Sequence, residues 1–274
     1  MAYKTILAFL DPALRPEECT RVAAQLALEN DAHLIGLAAT GMSPLLGVGS
    51  GIDPASPPLA EAFRTLRSER LAMLDAFEHQ VRMAGVASFE RRLIDEEAGY
   101  GLVQHGRYCD LLLMGQTRGP GQGGGARKDV PEYVLLNGTR PVLVVPGAGS
   151  YGTVGRHVAV AWNGSREASR ALTSALSLLK RANKVSVLLA NPGTEAGVPG
   201  ADVGLYLARH GITVEVLTHF GDNSEQALLD ALGACHADLL VMGAYGHARL
   251  REFLLGGATR TMLRRMTVPV WMAH

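Results

Sequence analysis

The chain is poor in cysteine, with three in 274 residues (Cys19, Cys109 and Cys235), and no two of them form a Cys-x-x-Cys pair. An odd, scattered set gives no disulfide framework and reads as reduced thiols, the expectation for a cytoplasmic protein. Neither these cysteines nor the nine histidines show the spacing of a zinc site. Charge of neither sign is in excess, with 26 basic and 26 acidic residues, so there is no electrostatic footprint for nucleic acid or an anionic membrane. The longest apolar runs, such as Leu111–Met114 and Leu239–Met242, are too short to span a bilayer. The opening MAYKTILAFLD lacks a small-residue cleavage site and reads as a first strand, not a signal peptide. There is no GK[ST] phosphate loop and no G-x-S-x-G elbow, and no nucleophile–base pair or metal cluster stands out.

What the chain does have is a repeat. DLLLMG at Asp110–Gly115 returns as DLLVMG at Asp238–Gly243, and each is followed at the same distance by a Pro-led apolar strand, Pro141–Val145 or Pro269–Met272. The length suits two domains, and the repeat places them at 1–146 and 157–274, with a glycine-rich linker between. In each half, unbroken apolar strands alternate with helical stretches. In the first half the strands are Lys4–Leu10, His33–Ala39, Ser88–Ile94, Asp110–Met114 and Pro141–Val145. A long helix from about Leu59 to Val81 carries Leu59, Phe63, Leu66, Met73, Phe77 and Val81 on one face. In the second half the strands fall near His157–Trp162, Lys184–Ala190, Thr213–His219, Leu239–Met242 and Pro269–Met272, with helices near 165–181, 201–210, 224–235 and 250–265. Asp222, three residues before Glu225, reads as the cap of the third of these helices. Ser165 reads as an N-terminal cap, and Glu96 and Glu97 as acidic residues favouring a helix start. Cys109 and Cys235, each just before a fourth strand, read as small buried side chains, and His105, His210 and His236 show no partner in the sequence. Strands and helices in this alternation form parallel sheets covered by helices on both faces, with ligands at the carboxyl ends of the strands.

The two copies differ where chemistry would be done. After the second DLLVMG come Gly243 and Gly246, then nine residues, then Gly256, Gly257 and Thr259, with Arg249, Arg251 and Arg260 nearby. Glycines let a backbone turn sharply and approach a ligand, and a nest of amides suits phosphate oxygens. Isolated glycines serve equally for a tight turn or a close helix contact; this spacing in this place favours phosphate. The first copy has Arg118, Lys128 and Asp129 at the matching positions, and its Gly119–Gly125 tract has no defined spacing. Gly47–Gly51 resembles a dinucleotide fingerprint only superficially, because it follows a second strand in a Pro-rich loop.

The pattern Gly-x2-Gly-x9-Gly, after a DLLVMG strand and before a helix leading to a Pro-Val strand, resembles the universal stress protein family, and the resemblance covers both halves. It implies two tandem five-stranded parallel sheets of order 3-2-1-4-5 in an adenine nucleotide alpha hydrolase-like α/β fold. It implies ATP, with magnesium as the accompanying cation, bound in the second half. On that pattern Gly243 lies beside the ribose, Gly246, Gly256, Gly257 and Thr259 lie beside the phosphates, and Asn163 takes the place of the family's strand-one acidic residue. Gly257 stands where the family has Ser or Thr, and Trp162 sits at the mouth of strand one, placed to stack on adenine or to block it. The first half keeps Asp11 but not the loop, and reads as a scaffold or regulatory half. The fifth strands are edges that family members use to dimerise, so the halves are expected to pair within the chain as a pseudo-dimer, with a homodimer as a further option. Gly41–Pro58 is the natural variable interaction surface. The expected function is a stress-response protein that is not an enzyme and acts on unidentified partner proteins through nucleotide-dependent interactions, any ATP hydrolysis being slow. A nucleotide-free scaffold and a nucleotide hydrolase are the alternatives.

Overall fold

The computed structural model describes residues 3–41, 57–117, 130–192, 198–246 and 257–274, and they fall into two compact units, Tyr3–Arg140 and Pro141–His274. The segment 42–56, which holds most of the Gly41–Pro58 loop and all of Gly47–Gly51, lies outside the described residues. So do Arg118, the Gly119–Gly125 tract, Lys128, Asp129, His247, Arg249, Arg251 and Gly256.

The amino-terminal unit contains β1 (Thr5–Leu10), α1 (Pro16–Asn30), β2 (His33–Ala39), α2 (Pro57–Met83), β3 (Phe89–Ile94), α3 (Ala98–Gly106), β4 (Leu111–Gly115) and α4 (Val130–Asn137). Its strands lie in the order β3-β2-β1-β4, all parallel. β1, β2 and β4 are buried along nearly their whole length, as continuous apolar runs in a covered parallel sheet must be. The buried face of α2 is Arg70, Leu74, Phe77 and Val81; of the apolar stripe read in the sequence, Phe77 and Val81 are buried and Leu59, Phe63, Leu66 and Met73 half-buried. An arginine takes a core position because its guanidinium Nε donates to the Ala39 carbonyl at 3.0 Å. Phe77 fits because Gly36 of β2 leaves room for it; a Cβ there would sit 2.5 Å from the ring. The third helix starts at Ala98, with Glu97 as a true N-cap accepting from the Gly99 and Tyr100 amides.

The carboxy-terminal unit contains β5 (Val142–Val145), β6 (His157–Ala161), α5 (Arg166–Leu179), β7 (Lys184–Ala190), α6 (Ala201–Arg209), β8 (Glu215–His219), α7 (Ser224–Cys235), β9 (Leu239–Gly243), α8 (Ala258–Arg265) and β10 (Val270–Ala273). Its sheet runs β5-β10-β9-β6-β7-β8, with β5 alone antiparallel. α5 packs against β9 and β10, and α7 against β7 and β8. The α/β class, the mostly parallel sheet and the strand order are as expected: β8-β7-β6-β9-β10 is the order 3-2-1-4-5 of the second repeat, and the first four strands of the first repeat lie as 3-2-1-4. The fifth strand of the first repeat joins the second unit, pairing Val144 with Val270, Leu143 with Trp271 and Val142 with Met272. The two apolar edges singled out in the sequence therefore satisfy each other, so neither leaves a row of unpaired backbone groups. Trp271 is fully buried, its Nε1 donating to Ser174 Oγ at 2.9 Å.

The repeated motif has a structural explanation in both units. Asp110 accepts from the Lys4 and Thr5 amides at 2.7 and 3.0 Å, and Asp238 from the Gly155, Arg156 and His157 amides at 2.9, 3.0 and 3.3 Å. Each aspartate thus clamps the start of the neighbouring first strand. The four residues after it are the buried strand, and the final glycine permits a close crossing. A Cβ on Gly115 would sit 2.1 Å from the Leu14 carbonyl oxygen, and one on Gly243 would sit 2.5 Å from the Ala168 nitrogen.

Candidate functional site

A cleft of about 730 Å³ opens at the carboxyl ends of β6, β7 and β9 in the carboxy-terminal unit. It is bounded by the amino-terminal ends of three helices, each held in place by local chemistry. α5 begins at Ser165, whose Oγ accepts from the Ala168 amide at 3.1 Å, so this residue is the cap the sequence suggested. α7 is capped by Asn223, whose side chain accepts from the Gln226 amide at 2.8 Å; the cap is one residue later than Asp222, which the sequence favoured. The reason is geometric: Asn223 holds the extended backbone of a cap, and its oxygen reaches the third helical amide. α8 follows Gly257, which offers no capping side chain; residues 250–256, where the sequence places the helix start, lie outside the described residues. Its amino terminus is the positive end of the helix dipole.

Of the residues singled out in the sequence, Asn163, Gly243, Gly246, Gly257 and Thr259 all line this one cleft, and Gly256 lies outside the described residues. Their roles in the fold are specific. Asn163 Oδ1 accepts from the Ser165 amide at 3.1 Å and shapes the β6–α5 turn. Gly243 packs on the α5 backbone, as above. Gly246 faces Glu167 and Ser165, its missing Cβ lying 3.0 Å from Glu167 Oε2 and 3.2 Å from Ser165 Oγ. Thr259, almost fully buried, accepts from the Tyr245 amide at 2.9 Å and ties the glycine loop to α8. Tyr245 lies in the same loop. It is buried in the left-handed region at φ 56°, and its ring meets that of His274 edge-on at 6.4 Å.

Sequence reasoning missed two parts of the site. The first is the wall formed by Asp222, Asn223, Ser224, Glu225 and Leu228 at the β8–α7 junction. A cap signal was visible there, but nothing pointed it at the glycine loop. The second is Glu167, 4 % exposed beneath Gly246, with Arg166 Nε and Nη2 donating to its Oε1 at 2.9 and 2.7 Å. Burial is the largest single influence and pushes its carboxyl upward, but the Arg166 hydrogen bonds, its own backbone amide and the nearby Arg166 and His274 charges together hold it below the usual carboxylate range. It is therefore ionised at neutral pH. Trp162 is half-buried at the cleft mouth.

At the corresponding strand ends of the amino-terminal unit, the chain's own groups are engaged with each other. Asp11 caps the turn Pro12–Leu14 by accepting from the Ala13 amide at 2.8 Å, Arg70 binds the Ala39 carbonyl, and Arg67 is paired with Asp95. Histidines without a visible partner in the sequence also have neighbours: Arg92 lies 2.9 Å from His105 Nδ1, and His210 packs edge-on against Tyr206. Burial, with Arg92 beside it, lowers the His105 pKa. Cys109 is buried as expected and Cys235 only partly so. Among the described residues, no three His, Cys, Asp or Glu side chains are grouped to hold a metal ion, and no helix is long and apolar enough to cross a membrane.

Fold and cleft together define a duplicated α/β protein whose second unit has a ligand-sized hollow at its strand ends, lined by glycines and helix amino termini. The universal stress protein family model matches residues 190–274. Universal stress protein Slr1230 of Synechocystis is 32% identical over 90 residues, which cover 33% of this chain and 28% of that protein, so the match spans under a third of the relative's length. Among solved structures, a universal stress protein from Archaeoglobus fulgidus superposes with a TM-score of 0.77 at 17% identity, covering 98% of this chain and 95% of its own. A functionally unknown protein from Pseudomonas aeruginosa gives a TM-score of 0.62 at 15% identity, covering 99% and 92%. These two likenesses establish the fold. The match to the universal stress protein family thus lies in the carboxy-terminal unit, over residues 190–274, and the two units of the chain are consistent with a tandem arrangement of one repeat.

Proposed function

We propose that the carboxy-terminal unit binds an adenine nucleotide, ATP with magnesium, in the cleft at the ends of β6, β7 and β9, and that the protein serves stress responses through nucleotide-dependent interactions with other proteins. The observation that carries this reading is the convergence of Gly243, Gly246, Gly257 and three helix amino termini on one hollow of about 730 Å³. Helix amino termini present unpaired amides and a positive dipole end to an anion, and the volume lies in the usual range for small-molecule sites, about 300–1,000 Å³. The ionisable side chains among the described lining residues, Asp222 and Glu225, are both acidic. With Glu167 behind Gly246, they favour a magnesium-neutralised nucleotide over a free polyphosphate. Of the three lining hydroxyls, those of Ser165 and Thr259 each accept a backbone amide, which supports a binding role over a nucleophilic one for these two. The same acidic wall is the observation that favours the second reading, a nucleotide-free interaction scaffold.

Thermal unfolding with and without Mg-ATP tests the proposal. A ligand at a hundredfold its dissociation constant stabilises the native state by about 2.7 kcal/mol. Stabilisation in the parent protein that is lost in Gly257→Glu is the expected result. No shift in the parent would leave the scaffold reading standing.

A further inference from the structure

A second hollow of about 620 Å³ lies on the other side of the β6 and β7 ends, and the two hollows share Trp162, Asn163, Ala190 and Asn191 as walls. These four residues form a ridge with a hollow on each side. The ridge is fixed: Asn191, in the left-handed region at φ 46°, donates from Nδ2 to the Gly221 carbonyl at 3.0 Å and accepts the Gly221 amide on Oδ1 at 2.9 Å. The floor of the second hollow is also specified. Gly200 has φ 78°, and a Cβ there would sit 2.8 Å from Val216 Cγ1 and 3.1 Å from Leu189 Cδ1, so glycine lets the start of α6 lie close on β7 and β8.

The chemistry of this second hollow differs from that of the glycine loop. Its walls carry the Trp162 ring, Pro192, Pro199 and Val198, the last a 77 % exposed apolar side chain. Asp202 is the ionisable side chain among its described walls. A carboxylate with apolar surfaces suits a neutral ring that offers hydroxyl or amino donors and disfavours a second phosphate. Gly246, Gly257 and Thr259 border only the first cleft, whereas the ridge stands at the ends of β6 and β7. A nucleotide with its phosphates at the glycines therefore turns its nucleoside end toward the ridge.

We infer that this unit takes a nucleotide enlarged at its base or ribose by an uncharged, ring-sized group, which crosses the ridge beside Trp162 and packs in the second hollow. The inference rests on the nucleotide reading of the first cleft. It is tested by measuring the affinities of ATP, N6-benzyl-ATP (ring on the base) and 2′/3′-N-methylanthraniloyl-ATP (ring on the ribose) for the full chain and for Val198→Asp. Burying one ring face against Trp162 and Val198 is expected to make at least one analogue bind about tenfold tighter than ATP. Val198→Asp, at an exposed position, should remove that advantage and leave ATP affinity unchanged. Equal or weaker binding of both analogues while ATP binds, or an advantage that survives Val198→Asp, overturns the inference and leaves the first cleft intact. Failure of all three ligands to bind refutes the nucleotide reading, and the inference falls with it.

Discussion

Two glycines of the motif, Gly243 and Gly246, look interchangeable in the sequence but are not so in the structure, and alanine at each gives a sharp comparison. Neither has a positive φ, so alanine is allowed by the backbone at both and should gain about 0.4–1 kcal/mol by restricting the unfolded chain. At Gly243 the new Cβ would lie 2.5 Å from the Ala168 nitrogen and 2.6 Å from the Glu167 carbonyl carbon, both backbone atoms in the first turn of α5. Ordinary contact begins near 3.4 Å, so the whole turn must retreat by about 1 Å. Overpacking of this kind costs about 1–3 kcal/mol, more than the entropic gain. At Gly246 the nearest atoms, at 3.0 and 3.2 Å, are the side-chain ends of Glu167 and Ser165, which can give way. Gly246→Ala should therefore lie within about 0.5 kcal/mol of wild type, in the range of tolerated substitutions. Urea unfolding followed by tryptophan fluorescence suits the question, because both tryptophans, Trp162 and Trp271, lie in the carboxy-terminal unit. Gly243→Ala as stable as wild type, or Gly246→Ala the more damaging of the two, would refute the assignment of Gly243 to helix packing.

Other expectations follow from the same geometry. Thr259→Val leaves the buried Tyr245 amide without its acceptor and should destabilise by about 1–3 kcal/mol, while Thr259→Ser should be much milder; denaturant midpoints decide between them. The Glu215 carboxyl is held below its ordinary value first by the Lys184 hydrogen bond and then by that from Ser186. Such a group contributes stability above the unfolded carboxylate pKa, about 4.3, and loses it as pH falls through the lower folded value. Glu215→Gln should accordingly flatten the acid limb of the stability curve below that pH and change nothing in its slope near neutrality. The thiols of Cys19 and Cys109 are pushed up to about 12, chiefly by burial, so in native protein a thiol reagent at mildly alkaline pH should modify the partly exposed Cys235 first. Labelling of Cys19 before Cys235 would contradict that order.

The parts of this molecule that could be read from sequence are those where one physical requirement dominates. Continuous apolar runs such as Leu111–Met114 must be strands buried on both faces, and the alternation with helices then forces a parallel sheet. Ser165 was legible as a cap because a hydroxyl at a helix start has one obvious use. Asp110 and Asp238 were visible as a repeat, but their task of clamping the amides at the start of β1 and β6 depends on a neighbour more than eighty residues away. Arg70 escaped because a charged residue in a buried helix face breaks the apolar pattern, its partner being a strand-end carbonyl. The pairing of β5 with β10 escaped because strand order within a repeat says nothing about where an apolar edge finds its partner. In the cleft, the glycines were legible through their spacing. The acidic wall at Asp222 and Glu225 and the carboxylate beneath Gly246 were not, since only the fold brings the ends of β6, β8 and β9 together.

The central claim, nucleotide in the carboxy-terminal cleft, is tested most directly by titrating Mg-ATP into isotope-labelled protein and following backbone amide resonances. The account predicts saturable shifts at Asn163, Gly243, Gly246, Ser224 and Gly257, with the strand ends of the amino-terminal unit, such as Thr40 and Gly115, unmoved. Shifts confined to the amino-terminal unit, or none at millimolar Mg-ATP, would contradict it.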